Sequence, residues 1–215
     1  FQHRSVNPGG GFFDLDDRGK PLNPKTQIRP IHIAARAAHC FSIGALLGRP
    51  GAADVVDHAM DYLWNHHRDG RNGGYFWSLG DDGPVDSTKQ GYGHAFVLLA
   101  ASSAKTISHP LADRMLVDIT EILETRFWES RHGAIAEEFT ADWQPLDGGA
   151  YRGQNSNMHL TESLMGAFEA TGDRSYLTKA ESLLDSDYDY TSTTAGNAAT
   201  IQAAASADIV AAGVN

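Results

Sequence analysis

Three short stretches carry side chains that could do chemistry. In "PIHIAARAAHCFSIGALLG", His32, Arg36 and His39 are spaced i, i+4 and i+7. At about 100° per residue, these positions share one helical face. An arginine in an otherwise apolar helix is costly unless it is paired or lines a wet cavity. It reads either as a structural ion pair or, with two histidines on its face, as part of a pocket. In a pocket, its rigid donor fork would grip ligand oxygens. The second stretch, "QGYGHAF", holds Tyr92 and His94, and Gly91 and Gly93 allow close approach beside Tyr92. Tyr92 is either a core phenol or a pocket wall. The third, "RGQNSNMHLTES", holds Asn155, Asn157, His159 and Glu162. One asparagine is expected to cap a helix. His159 and Glu162, one turn apart, can form a hydrogen-bonded pair that orients the imidazole. Taken alone, this stretch is a capped helix start. Its weight comes from all three apolar helices carrying polar groups in their N-terminal halves, where parallel neighbours would bring them to one rim.

Other constellations are weaker. The ten histidines include no HExxH pattern and no paired-cysteine spacing, so no metal is expected. No strand-turn-helix serine elbow occurs. Glu137 and Glu138 are adjacent on a strand pattern and point to opposite faces, so they are not a matched glycosidase pair; a solvated or edge role is expected. His66 and His67 are also adjacent and do not converge easily on one ion. The single cysteine, Cys40, permits no disulfide within one chain and fits a reducing, cytoplasmic setting. A formal net charge of -10 argues against a nucleic-acid partner. No run of about 18 apolar residues is present, so no membrane span is expected. No signal peptide is visible. The chain opens on Phe1, which implies a processed N-terminus or a longer protein.

The elements that must position these residues alternate. An apolar helix over 30–48, with Pro30 in its first turn and Gly48 as its stop, is expected to be deeply buried. An amphipathic helix follows over 52–67, then an aromatic strand pattern with an Asp-Gly turn. The same order returns with helices over 89–104 and 110–128 and a second strand-and-turn insertion. A third buried helix spans 156–171 and its amphipathic partner 173–186. Arg36, Tyr92 and His159 fall in successive repeats, the signature of stacked helical hairpins. Residues 187–215 differ: this Ala/Thr-rich stretch has no positive charge and little apolar bulk with which to pack.

Four segments, "GGGFFDLDDRGKP", "ARAAHCFSIG", "GGYFWSLGDDGPVDSTKQGYGHAFVLLAASS" and "RGQNSNMHLTESLMGAFEATGD", together resemble the N-acylglucosamine 2-epimerase superfamily. The likeness runs from about Gly9 to Leu184 and is strongest to its mannose and sulfoquinovose aldose–ketose isomerases. It implies an all-α (α/α)6 barrel with a sugar pocket at one mouth. Arg36 would bind substrate oxygens, with His32, Tyr92 and Asn155 as further substrate contacts and His159 acting in ring opening or in polarising a sugar oxygen. It also implies no metal or cofactor, a monosaccharide substrate, and proton transfer between C1 and C2 through a cis-enediolate. Family members are about twice as long, and their principal acid/base histidines lie in the C-terminal half. Residues 1–186 are therefore expected to form roughly half a barrel, and these three helix pairs alone are expected to be inactive. The same residues leave open a sugar 2-epimerase and a non-catalytic sugar-binding half-barrel.

Overall fold

Small residues set the inner helices close together. In the computed structural model, which describes residues 2–22, 27–146 and 151–184, helix α1 (Ile31–Leu46), α3 (Gly91–Thr106) and α5 (Gln154–Thr171) form an inner row. Helix α3 is central and packs against both α1 and α5. The contact surfaces are built from Ala34, Ala35, Ala38, Ala95, Ala100, Ala101, Ala104 and Ala167, all buried, and short side chains permit short interaxial distances. Gly93 is one place where this is obligatory: a Cβ there would lie 2.7 Å from Ile31 Cγ2.

Outside this row lie α2 (Ala52–Tyr62), α4 (Ala112–Ile122) and α6 (Arg174–Leu184), each packed on its inner partner. They are amphipathic, burying Val55, Val56, Ala59 and Met60, then Met115, Leu116 and Ile119, then Tyr176, Leu177, Ala180 and Leu183. A stripe at helical spacing is what a solvent-facing helix of a layered domain needs. Both α2 and α4 run on into a single π-helical turn, Leu63–His67 and Leu123–Phe127, so the expected helices over 52–67 and 110–128 are each an α-helix with a widened last turn. Among the described residues, no helix is long and apolar enough to cross a membrane.

Short strands gather where the inner helices begin. Strand β1 (Arg29–Pro30) leads directly into α1 and pairs antiparallel with β2 (Ser78–Leu79), which pairs with β3 (Pro84–Asp86) across the Asp82-Gly83 turn. Strand β4 (Lys89–Gln90) leads into α3; β5 (Trp128–Glu129) pairs with β6 (Ala134–Ile135), and β7 (Glu138–Phe139) pairs with β4. Lys89 is fully buried, donates to Asp69 Oδ2 at 2.9 Å and lies over the Phe76 ring. That ion pair ties the hairpin region to the start of α3.

Three expectations need correction. Helix α1 begins after Pro30, ends at Leu46 and is buried on one side only; Arg36 and Cys40 are exposed, as is Ile43 at 46%. The reason is position: among the described residues, α3 has an inner neighbour on each side and is buried without a break from Gly93 to Ser102, whereas α1 has one. Neither asparagine caps α5. Gly153 is the cap, and Asn157 lies inside the helix, where its amide accepts from Ile135 N–H (2.9 Å) and donates to Gly153 O (2.9 Å). Glu137 is no solvated edge residue either. Its carboxylate accepts from Gly153 N–H (3.0 Å) and Ser156 Oγ (2.7 Å), at the helix end where the dipole favours a negative charge. The stretch 187–215 lies outside the described residues.

Candidate functional site

The concave face of the inner row is a shallow bowl. On α1, His32, Arg36 and His39 follow one another down the helix; on α5, Asn155, His159 and Glu162 repeat the same spacing; on α3, Tyr92 and Phe96 stand between them. Equal spacing on parallel, closely packed helices brings equivalent turns to the same depth.

At the rim, the His32 ring stacks on Trp77 (centroids 5.3 Å, 27° between planes) and meets Tyr92 edge-on at 5.7 Å. Its Nδ1 is buried and makes no hydrogen bond among the described residues. Burial, and secondarily the Arg36 charge, hold its pKa below the ordinary histidine value, so the ring is neutral at pH 7. Asn155, exposed, stands one turn before His159 on α5 and makes no side-chain hydrogen bond among the described residues.

One turn deeper, Arg36 Nη2 donates to Tyr92 Oη at 2.8 Å, and its guanidinium carbon sits 4.4 Å from the Phe96 ring centre. Among the described residues no carboxylate lies within ion-pair distance of Arg36, so none of them makes the structural ion pair. The guanidinium is held by a phenol and an aromatic face, and the residue is exposed. His159 packs on the same two rings, 4.6 Å from Phe96 and edge-on to Tyr92 at 5.3 Å, and its Nδ1 lies 2.9 Å from Glu162 Oε2. The bond from His159 holds the Glu162 carboxyl below the usual carboxylate range. Deepest is His39, whose Nδ1 donates to Ser103 Oγ at 2.7 Å while the serine hydroxyl donates onward to Leu99 O. Burial lowers the His39 pKa.

The bowl thus brings together His32, Arg36 and His39 of α1, Tyr92 of α3, and Asn155, His159 and Glu162 of α5, and leaves out Asn157. It also contains three that sequence reasoning passed over. Phe96, one turn after Tyr92, carried a periodicity signal. Ser103 sat unremarked on the same helix, and Trp77 reaches in from a hairpin with no local signal. The remaining candidates lie elsewhere. His94 is enclosed: its Nδ1 donates to Gln90 O (2.7 Å) and its Nε2 accepts from Tyr75 N–H (3.0 Å), so it anchors the loop before the hairpin. His67 is buried with Nδ1 bonded to Phe76 O, and Gln90 donates to Glu138. No cluster of three metal-ligating side chains occurs among the described residues. An apolar groove of about 550 Å³ flanks α1 between Phe12, Cys40 and Phe41, but of the bowl's polar groups it reaches only Arg36.

The two enclosed histidines predict an acid sensitivity. Burial lowers the pKa of His67 to about 4 and that of His94 to about 3, from 6.5. The unfolded chain binds these protons near pH 6.5 and the folded chain refuses them. Their contribution is complete above that pH and declines as pH falls from 6.5 towards 4. Urea midpoints should drop steadily between pH 7 and pH 5; a flat profile would show that the two imidazoles take up protons as readily in the fold as in the unfolded chain.

Residues 10–197 match the family model described as N-acylglucosamine 2-epimerase (GlcNAc 2-epimerase). The D-mannose isomerase of Thermobifida fusca is 41% identical over 181 residues, covering 84% of this chain and 44% of that protein. A crystal structure of D-mannose isomerase superposes with a TM-score of 0.79 at 34% identity, over 85% of this chain and 47% of the other. The cellobiose 2-epimerase of Spirochaeta thermophila superposes at 0.75 with 26% identity, over 86% and 48%. These neighbours have the α/α-barrel fold. The chain spans less than half the length of the relatives it matches.

Proposed function

The chain belongs to the N-acylglucosamine 2-epimerase family, and from that premise we propose that the protein is an aldose–ketose isomerase acting on mannose or a close relative. Its described helix pairs form one half of an (α/α)6 barrel. The exposed faces of α1 and α5 are where further inner helices close the ring, and closing it turns the bowl into a pocket that excludes water.

One observation carries the reading: an arginine without a carboxylate partner among the described residues, aimed by Tyr92 and facing His159 across an aromatic floor. Isomerisation opens the sugar ring, removes the C2 proton, and returns a proton to C1 through a cis-enediolate. As negative charge builds on the C1 and C2 oxygens, fixed donors in a dry site stabilise it most. Arg36 supplies two or more such donors, and Asn155 supplies an amide at the rim. The neutral His32 and the Tyr92 ring hold the sugar's faces and hydroxyls. His159 serves ring opening, and histidines of the other half move the C2 proton, a task suited to a group titrating near neutrality. Proton transfer alone accomplishes the reaction, so no cofactor is required.

Higher identity to the mannose isomerases than to the cellobiose epimerases favours isomerisation over epimerisation. Product analysis separates them. The complete protein incubated with mannose should yield fructose. Glucose as the product would make it a 2-epimerase, and unchanged mannose would leave a non-catalytic sugar-binding barrel.

A further inference from the structure

Glu162 touches no part of the bowl's rim, yet it contacts the one histidine of α5 that lines the bowl. Its Oε2 lies 2.9 Å from His159 Nδ1. The charged and titratable groups facing it are Arg36 and His39 from α1 and His159 from its own helix. All three favour an ionised carboxylate, and an ionised carboxylate only accepts. The shared proton therefore sits on Nδ1. The ring cannot turn away to satisfy another partner, because Phe96 and Tyr92 pack on it at 4.6 and 5.3 Å. Nε2 makes no hydrogen bond among the described residues and is not buried.

We propose that Glu162 is a positioning residue for His159: it fixes the neutral imidazole as the Nδ1–H tautomer and leaves Nε2 as the nitrogen with the free lone pair. A neutral histidine in water prefers the opposite tautomer, so the carboxylate reverses the intrinsic choice. Which nitrogen is free is set by the bond the other makes. The use of that lone pair rests on the isomerase reading; the tautomer does not. In ring opening, Nε2 takes the proton of the anomeric hydroxyl. The freed O1 electron pair becomes the second C1–O1 bond, C1–O5 breaks, and the imidazolium returns the same proton to O5. While charged, the ring is stabilised by Glu162. With the proton on Nε2 instead, that nitrogen could only donate, and this sequence could not begin.

The test uses the complete protein labelled with ¹⁵N-histidine. Long-range ¹H–¹⁵N spectra, taken where the ring is neutral, should show His159 with a pyrrole-like Nδ1 and a pyridine-like Nε2. The Glu162 side chain is 53% exposed, so its replacement leaves the core intact. Glu162→Leu should move the proton to Nε2 and lower kcat for mannose about 100-fold, with KM within about threefold. Glu162→Gln, the same shape without the charge, should fall between. A wild-type ring protonated on Nε2 overturns the proposal. So does Glu162→Leu with kcat unchanged, or with kcat reduced and the tautomer unmoved. Absence of mannose turnover in the wild type would strike the isomerase reading instead, and the wild-type spectrum would still decide the tautomer.

Discussion

Arg36→Ala is expected to lower mannose turnover by the complete protein about 100- to 1,000-fold, or about 3–4 kcal/mol of transition-state stabilisation. The size follows from how Arg36 is held. A guanidinium whose charge is cancelled by a carboxylate has little left for a ligand. This one is aimed by a phenol at 2.8 Å and backed by the Phe96 ring, which fixes its direction without neutralising it. The loss should fall mainly on kcat, because the charge it meets is greatest in the enediolate and slight in the bound sugar. Folding should not suffer, since Arg36 makes no ion pair among the described residues, and the helical circular dichroism spectrum should match wild type. Turnover within a few-fold of wild type would remove Arg36 from the site. Tyr92→Phe, which removes the aiming bond alone, should cost less.

Asp69→Ala is expected to cost about 3–5 kcal/mol of stability, because it leaves the Lys89 ammonium buried without its counter-charge. Lys89 is 0% and Asp69 4% exposed, and burial already pushes the lysine pKa down. Asp69 further accepts from the backbone N–H groups of Arg71 and Asn72 and from the Asn72 amide, so the substitution also frees three donors. Lys89→Met should be milder: it removes the charge that burial penalises and leaves Asp69 with those three donors. Urea titrations of both variants check this order. Equal losses would mean that the ion pair, and not the loop's bonds to Asp69, accounts for the whole effect. Lys89 stands three residues before Tyr92, so Asp69→Ala should also blur the start of α3 and weaken sugar binding.

Most of what positions the bowl was legible because it is local. The alternation of small-residue helices with amphipathic ones shows directly in the pattern, and so does the common face of His32, Arg36 and His39. The His159–Glu162 pair needed only its one-turn spacing. What was hidden depends on partners distant in sequence. Trp77 beneath His32, Glu137 at the start of α5 and Asp69 beside Lys89 are each placed by strand pairing or loop return, which periodicity does not encode. Reading α1 as deeply buried departs from the described structure for a related reason. An Ala-rich apolar helix looks the same whether it has inner neighbours on both sides, as α3 does, or on one, as α1 does among the described residues. His94 shows the converse: a histidine beside a site residue in sequence, turned instead to Tyr75 and Gln90 and sealed from the bowl.

The central claim is that an opened hexose lies on the face shared by α1, α3 and α5. A crystal structure of the complete protein with mannitol, the reduced open-chain form of mannose, tests it most directly. The account predicts the polyol in the bowl, with hydroxyls within hydrogen-bond distance of Arg36 and His159 Nε2 and its carbon chain against Tyr92 and Phe96. Mannitol bound in the groove beside Phe12 and Phe41, or anywhere that leaves Arg36 and His159 untouched, would contradict it.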